Sequence, residues 1–205
     1  MYKRQGVAGE PGEDGVGSSV ASQIPFTGSG FTNGYLTRPG VGNTTTGAFV
    51  ANRLFHQPFI LTKTITITTA VVTVTTAVAS SRIYLGIRRL DQSSAQPTTE
   101  IIDCGSVASD SVGTKQFSFA STVLTPGIYY FDLWSQHAPS ISAIPNPENL
   151  IGVQFAGSGA TGVIMGLFRN GVTGIDSAGM PADVSGDTYT IALQGSGPAF
   201  LVGIK

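Results

Sequence analysis

The sequence predicts an all-β protein, a β-sandwich or jelly roll preceded by an extended N-terminal arm. Composition is the first observation, since 11% of the 205 residues are charged, 41% are hydrophobic and 27 are glycines. Ordinary soluble domains contain about 25% charged residues, so uncharged Thr and Ser must supply much of the polar surface here. β-Branched Thr suits a pleated surface and Gly suits tight turns, whereas the helix-favouring Lys, Glu and Leu are scarce. The second observation is a hydrophobic period of two that begins near residue 59.

The chain begins with glycines at a period of three, at Gly6, Gly9, Gly12 and Gly15. Only Gly fits at the axis of a collagen triple helix, so this spacing predicts a collagen-like leader over residues 1–17. Four triplets are too few to hold a triple helix by themselves, and a flexible Gly-rich leader is the alternative interpretation.

Residues 18–58 are predicted to form an extended anchoring arm. Turn-forming pairs such as Asn33-Gly34 and Pro39-Gly40 interrupt this stretch. Isolated aromatic residues lie between the turns, at Phe26, Phe31, Tyr35, Phe49 and Phe55. Aromatic side chains in series need a surface that buries them, either the following domain or a neighbouring subunit.

Residues 59–205 are predicted to form the jelly-roll-like β-sandwich domain. Two strands fit the Thr- and Val-rich stretch from Ile65 to Val78. Further strands are predicted over residues 82–90, 99–107, 115–120, 128–135, 150–156, 162–169, 188–193 and 200–204. Gly, Pro, Asn and Ser occupy the breaks, as is typical of sandwiches, and no segment has the pattern of an amphipathic helix.

Composition argues against several partners and cofactors. The net charge is −1, and Arg88-Arg89 is the one adjacent basic pair beyond the N-terminus, so we expect no nucleic-acid partner. The uncharged stretch 150–168 contains GxxxG at 162–166, but its polar residues and many glycines argue against membrane insertion. Cys104 has no Cys or His at metal-ligand spacing, so we expect neither a metal nor another cofactor.

No arrangement of residues predicts an enzyme, so we expect a non-enzymatic protein without catalytic residues. His56 and His137 are interpreted as loop histidines, because no GxSxG elbow accompanies them. Asp103 and Asp132 would suit glycoside hydrolysis if their strands pair, but sequence alone does not show that pairing. Residues 157–162 match GxGxxG, yet the helix and the βαβ context of a dinucleotide site are missing.

Aromatic residues near the strand 128–135 suggest a non-catalytic sugar site. Tyr130, Trp134 and His137 are the candidate ligand-binding residues, since an aromatic ring supplies a flat apolar face and a polar edge. The alternative interpretation is that Tyr130 and Trp134 pack in the core on one face of a sheet.

The order of segments gives the chain a resemblance to a known class of trimers. A collagen-like leader precedes a sandwich, an aromatic strand returns after the Pro-Gly turn at 126–127, and the final strand 200–204 is apolar. This order resembles trimeric jelly-roll proteins of the C1q/TNF-like type. In that family the final strands lie near the threefold axis, so the resemblance implies an oligomer interface at Phe200, Leu201 and Val202.

The uncharged Thr-, Gly- and Ser-rich strands and the short leader also resemble virion proteins of tailed bacteriophages. Such modules occur there in fibres, tail tips and capsid decorations, whereas similar collagen-like spore-surface proteins carry far longer triplet tracts. This resemblance implies a structural protein of the virion, a trimeric fibre, tail or head-fibre component. Its partners would be itself as a homotrimer, other virion proteins through the arm, and a host-surface glycan. A capsid decoration (cement) protein and a stand-alone carbohydrate-binding module are the alternatives.

Overall fold

In a computed structural model the chain forms two antiparallel sheets packed face to face, which confirms the predicted all-β sandwich. The structure describes residues 31–32, 35–36, 45–61, 63–91, 96–144, 164–181, 184, 188–193, 199–200 and 202–205. In chain order the elements are β1 (Phe31–Thr32), β2 (Tyr35–Leu36), β3 (Thr45–Ala48), β4 (Leu54–Leu61), β5 (Ile65–Thr76), β6 (Arg82–Leu90), β7 (Pro97–Ala108), β8 (Gly113–Leu124), β9 (Gly127–Trp134), β10 (Ser140–Ile144), β11 (Ile164–Arg169), α1 (Ile175–Ala178), β12 (Thr190–Leu193), β13 (Ala199–Phe200) and β14 (Gly203–Ile204).

Sheet B has the strand order β12-β11-β4-β9-β6-β7. Strand β4 is buried along its whole length, and β9 and β6 are buried along most of theirs. Because side chains alternate between the faces of a strand, such continuous burial requires that both faces of the sheet be covered. One face of sheet B packs on sheet A, and the other face is covered by a segment described below.

Sheet A is organised around β5. Strand β8 pairs along β5 from Ile65↔Leu124 to Val74↔Gly113, with one irregularity in register, and β14 and β10 pair with its other edge. Along β5, Ile67 and other apolar residues are buried while alternating threonines are partly or fully exposed. The Thr/Val alternation therefore gives sheet A one apolar face, which points to the core, and one polar face, which points outward.

The core between the sheets is rich in stacked aromatic rings. The ring centroids of Phe59 and Phe131 lie 4.0 Å apart, and those of Phe49 and Phe200 lie 4.5 Å apart. Burial of apolar surface stabilises a fold by about 25 cal/mol per Å², so these large side chains dominate the packing energy. Cys104 is buried in the same core.

This packing bears on two of the three residues predicted to form an oligomer interface. Phe200 is 1% exposed and Val202 is 4% exposed, and both belong to the core of their own subunit. Leu201 lies outside the described residues. The final strands are apolar because they face sheet B within the same chain, so Phe200 and Val202 are not available to a neighbour.

The predicted boundary between arm and sandwich is also corrected. Residues 45–58 belong to the sandwich, because β3 pairs with β10 and β4 pairs with β9 from Phe55↔Leu133 onward. Further upstream, Leu36 of β2 pairs with Ile204 of β14. Phe49 and Phe55 therefore find their covering surface in their own domain, which is one of the two possibilities that the sequence left open.

Several sequence predictions fall outside the described residues. These are the collagen-like leader with Gly6, Gly9, Gly12 and Gly15, the strand predicted at 150–156 and the GxGxxG segment 157–162. Of the uncharged stretch 150–168, the described part belongs to β11. No helix within the described ranges is long and apolar enough to cross a membrane.

Replacing Phe200 by Ala is expected to reduce the free energy of unfolding by about 3–5 kcal/mol, because it leaves a cavity between the stacked rings. Urea denaturation measures the change. The exposed Val112, replaced by Ala, is the matched control and should change stability by less than about 0.5 kcal/mol. A Phe200→Ala protein as stable as the parent would contradict the burial of this ring.

Candidate functional site

The outer face of sheet B, which points away from sheet A, is covered by a segment that we call the strap. The strap consists of described residues 170–181 and 184, and includes α1. Val172, Ile175, Met180 and Val184 of the strap are all buried. They pack with the outward side chains of three adjacent strands, Leu54 of β4, Tyr84 of β6 and Trp134 of β9. The strap therefore closes a second, smaller apolar core.

Polar side chains of sheet B fasten the backbone of the strap. The indole Nε1–H of Trp134 donates to the carbonyl of Val172 at 3.0 Å, and the hydroxyl of Tyr84 donates to the carbonyl of Asp176 at 3.2 Å. The guanidinium of Arg88 donates to the carbonyl of Pro181. Three strap carbonyls are thus held by side chains of the sheet, so these contacts do not depend on the strap's own side chains.

A buried ionic network lies beneath the strap. Asp132 Oδ1 is 2.6 Å from His56 Nδ1, and Asp132 Oδ2 accepts a hydrogen bond from Arg88 Nε. All three side chains are 0% exposed. A carboxylate withdrawn from water is costly unless charged or polar donors satisfy it, and here two donors do so.

The register of the strands brings these three residues together. His56 on β4 is directly opposite Asp132 on β9, and Asp132 is opposite Gly86 on β6. Arg88 is two residues further along β6, on the same face. A Cβ atom at Gly86 would lie 3.5 Å from Asp132 Cβ, which is an ordinary van der Waals distance.

The contact with Asp132 assigns the role of one ring nitrogen of His56. Because a carboxylate accepts, His56 Nδ1 is the donor of this hydrogen bond. Nε2 is buried and has no hydrogen-bond partner among the residues that the structure describes. The ring meets Tyr189 edge-on, with centroids 5.1 Å apart. An Asp–His pair orients an imidazole for base catalysis, but that chemistry also needs a nucleophile at Nε2.

Tyr130 borders the network and is itself fully enclosed. Burial raises the pKa of its phenol well above the usual range, and the charge of Asp132 and the neighbouring Tyr189 act in the same direction. The phenol therefore stays protonated, because a phenolate here would lose hydration and would lie near a carboxylate.

The predicted sugar-binding residues do not form an open site. Trp134 is 1% exposed and packs beneath the strap, and Tyr130 is 0% exposed, so neither ring is open to a sugar. His137 is half-buried beyond the end of β9, and its backbone N–H donates to Ser135 Oγ at 3.2 Å. The sugar-platform hypothesis is corrected for Tyr130 and Trp134, which follow the alternative of core packing.

Asp103 and Asp132 do lie on one face of sheet B, on either side of Gly86. Each carboxylate is already bonded within the chain. Asp103 accepts from the backbone N–H of Gly105 at 2.8 Å and of Met180 at 3.2 Å, and so helps to hold the strap. Within the described ranges, no group of three or more His, Cys, Asp or Glu side chains could hold a metal ion.

Sequence reasoning missed His56 and Arg88. His56 is interpreted as a loop histidine in the sequence, yet it lies inside β4 between Phe55 and Gln57. The available signal is the alternation itself, since Phe55, Phe59 and their strand neighbours point to the core and leave His56 on the opposite face. A polar residue on the face of a strand opposite the core, with apolar residues on either side, indicates that a further segment covers this face and that the polar residue has a partner there.

Replacing Asp132 by Asn is expected to reduce the free energy of unfolding by about 3–5 kcal/mol, because the buried Arg88 charge loses its counter-charge. Chemical denaturation at neutral pH measures the loss. Asp176→Asn, at an exposed carboxylate of the strap, is the control and should be nearly neutral. An equally small effect of Asp132→Asn would contradict a buried ion pair.

Trp134 is the one tryptophan of the chain, so its fluorescence reports directly on the cover. Because the strap encloses the ring, we expect blue-shifted emission and little quenching by iodide in the native protein. Unfolding in guanidinium should shift the emission to the red and make the quenching strong. Strong iodide quenching of the native protein would show that the ring is open to solvent.

A scan of the sequence against protein-family models finds no match, and a comparison with curated proteins also finds none.

Proposed function

We propose that this chain is a non-enzymatic structural subunit of a phage particle and that it assembles as a homotrimer, with a jelly-roll-like sandwich as its body. The observation that carries the proposal is that the buried ionic network and the strap are bound to groups of the same chain. Arg88 and Asp132 are fully buried and bind the chain's own groups. This arrangement adds a third layer to the sandwich and favours a rigid body over a ligand-exchanging site.

The virion assignment is supported by the chain's resemblance to tailed-phage proteins in composition. Charged residues make up only 11% of the sequence, and four glycines at a period of three precede the sandwich. Trimers are the assemblies in which such triplets are stabilised, because a triple helix needs three chains. In this proposal the N-terminal region contacts other virion proteins.

Among the alternatives, the stand-alone carbohydrate-binding module loses support, because Trp134 and Tyr130 are enclosed. A host-surface glycan remains a partner in the proposal, but it would bind elsewhere on the subunit.

A fibre component and a capsid decoration protein differ in copy number, since a fibre is present in few copies per particle and a decoration protein in many. Quantitative mass spectrometry of purified particles distinguishes the two, and absence of the chain from the particles would contradict the virion assignment.

The full chain is expected to have a mass in solution of about 63 kDa, which is three chains of 21.1 kDa. Light scattering coupled to size exclusion measures this mass directly. A version that begins at Thr45 keeps β3 and β4 and tests whether the sandwich alone assembles. A full chain that runs as a monomer of 21.1 kDa would overturn the homotrimer.

A further inference from the structure

We propose that the pair Asn170-Gly171 is a site of covalent self-modification, at which the side-chain amide of Asn170 is lost as ammonia and replaced by a carboxylate. The pair forms the bend between β11 and the rest of the strap, and both residues are exposed. The reaction uses groups of a single chain and solvent water, so it does not depend on the proposed homotrimer. Its products alter the chain at the point where the strap begins.

The bend favours the residue that makes this asparagine reactive. Gly171 has a φ of +69°, a left-handed conformation that other residues rarely adopt, so the turn into the strap favours glycine. Glycine also leaves its backbone nitrogen unhindered, because it has no Cβ atom. Within the described ranges no hydrogen bond holds the Gly171 N–H. This nitrogen is therefore available to attack the side chain of Asn170.

Arg53 is placed to assist the attack. Its Nε donates to Asn170 Oδ1 at 2.8 Å, and its guanidinium carbon lies 4.1 Å from the centre of the Phe168 ring, a cation–π contact that holds the group in place. When a nucleophile adds to an amide carbon, negative charge develops on the oxygen, and a positioned donor stabilises that charge. Because a guanidinium can only donate, it binds Oδ1 and leaves Nδ2, the leaving group, outside the contact.

The reaction has two steps, and water is its only co-reactant. In the first step the Gly171 nitrogen gives its proton to solvent and bonds to Asn170 Cγ. The Cγ–Nδ2 bond breaks, Nδ2 takes up a proton and leaves as ammonia, and a cyclic succinimide remains. In the second step water opens this ring. Addition at Cγ gives aspartate, whereas addition at the main-chain carbonyl carbon gives isoaspartate, in which the backbone runs through Cβ and Cγ.

The two products affect the strap differently. Aspartate at position 170 keeps the backbone and places a carboxylate against Arg53, where an exposed ion pair changes stability little. Isoaspartate adds one carbon atom to the main chain ahead of Val172. The N–H of Val172 donates to the carbonyl of Asn52 at 2.9 Å, and its carbonyl accepts from Trp134 Nε1 at 3.0 Å. A displaced Val172 weakens both bonds, so we expect isoaspartate to loosen the start of the strap.

Asn52 is the matched asparagine within the same chain. The nitrogen that would attack its side chain belongs to Arg53, which is not a glycine and whose N–H donates to the carbonyl of Val50 at 3.1 Å. Asn52 is also half-buried, whereas Asn170 is exposed. The same chemistry is therefore disfavoured at Asn52.

Peptide mass mapping of the stored full chain tests the site. We expect the peptide with Asn170 to gain the mass difference between an amide and an acid and to separate into two chromatographic forms. The change should be faster in mildly alkaline than in neutral buffer, because the Gly171 nitrogen must lose a proton. The peptide with Asn52 should stay unchanged, and mapping separates both from the peptide with Asn33-Gly34. Asn170→Gln should abolish the change, since glutamine needs a larger ring. Conversion of Asn170 no greater than that of Asn52 would overturn the proposal.

Arg53→Met tests the assistance to the attack, because methionine keeps an apolar chain beside Phe168 but cannot donate. We expect the native variant to react at Asn170 about tenfold more slowly, the size of effect that the loss of one charge-assisted hydrogen bond gives. In concentrated urea the contact is absent, so parent and variant should react at equal rates. Circular dichroism establishes that the variant folds. A native rate that is unchanged or higher would contradict the role of Arg53.

Iodide quenching of Trp134 tests the effect on the strap. Ion exchange separates the modified protein, which carries an additional negative charge, from the parent. Asn170→Asp contains only the aspartate product and is the matched control. We expect stronger quenching in the modified fraction than in the parent or in Asn170→Asp. Equal quenching in a fraction that mapping shows to contain isoaspartate would contradict the loosening of the strap.

Discussion

The buried carboxylate of Asp132 is the constraint around which sheet B is arranged. An ionised carboxylate at 0% exposure is tolerated only when donors replace its hydration, and several kcal/mol depend on this. His56 supplies one donor from β4, and Arg88 supplies the other from β6, so the network ties together the three central strands of the sheet. A shift of any one of these strands by a single residue would move its polar group to the core face. The pairing register of the strands in sheet B is therefore fixed by electrostatic interactions as well as by packing.

The strap follows from the same constraint. Arg88 has more donors than Asp132 can use, and its guanidinium also binds the carbonyl of Pro181 in the strap. Trp134 and Tyr84 leave a polar edge that needs an acceptor once the ring is buried, and strap carbonyls provide both acceptors. The strap therefore has two roles: it covers the apolar surface of the outer face, and its carbonyls accept hydrogen bonds from Trp134, Tyr84 and Arg88. This explains how a segment with only a four-residue helix holds a defined position on the sheet.

Much of the fold follows from local alternation, and the rest depends on pairings between distant residues. The predicted strand 82–90 coincides with β6, and the predicted strand 128–135 differs from β9 by one residue at each end. Alternation also indicates which side chains point away from the core, including Trp134 and Tyr130. Whether such a side chain is exposed or buried depends on the strap, which contacts Trp134 from 38 positions later in the chain. A local sequence pattern contains no information about this contact. For the same reason His56 and Asp132, separated by 76 positions in the sequence, could not be paired from the sequence. Phe200 and Val202 illustrate the converse, since their apolar character requires burial but does not indicate in which subunit.

The low charge of the chain is understandable when the two outer faces are considered together. A sandwich has two outer faces to keep soluble, and here the strap covers one of them while hydroxyl groups hydrate the other. Thr has nearly the shape of Val, so it preserves β propensity, yet its hydroxyl can bond to water. A face of Val in its place would expose a contiguous apolar patch to solvent. The alternation that predicts β5 as a strand therefore also explains how its outward surface is hydrated with few charged residues, because the threonines on that side are partly or fully exposed while the alternating apolar residues are buried.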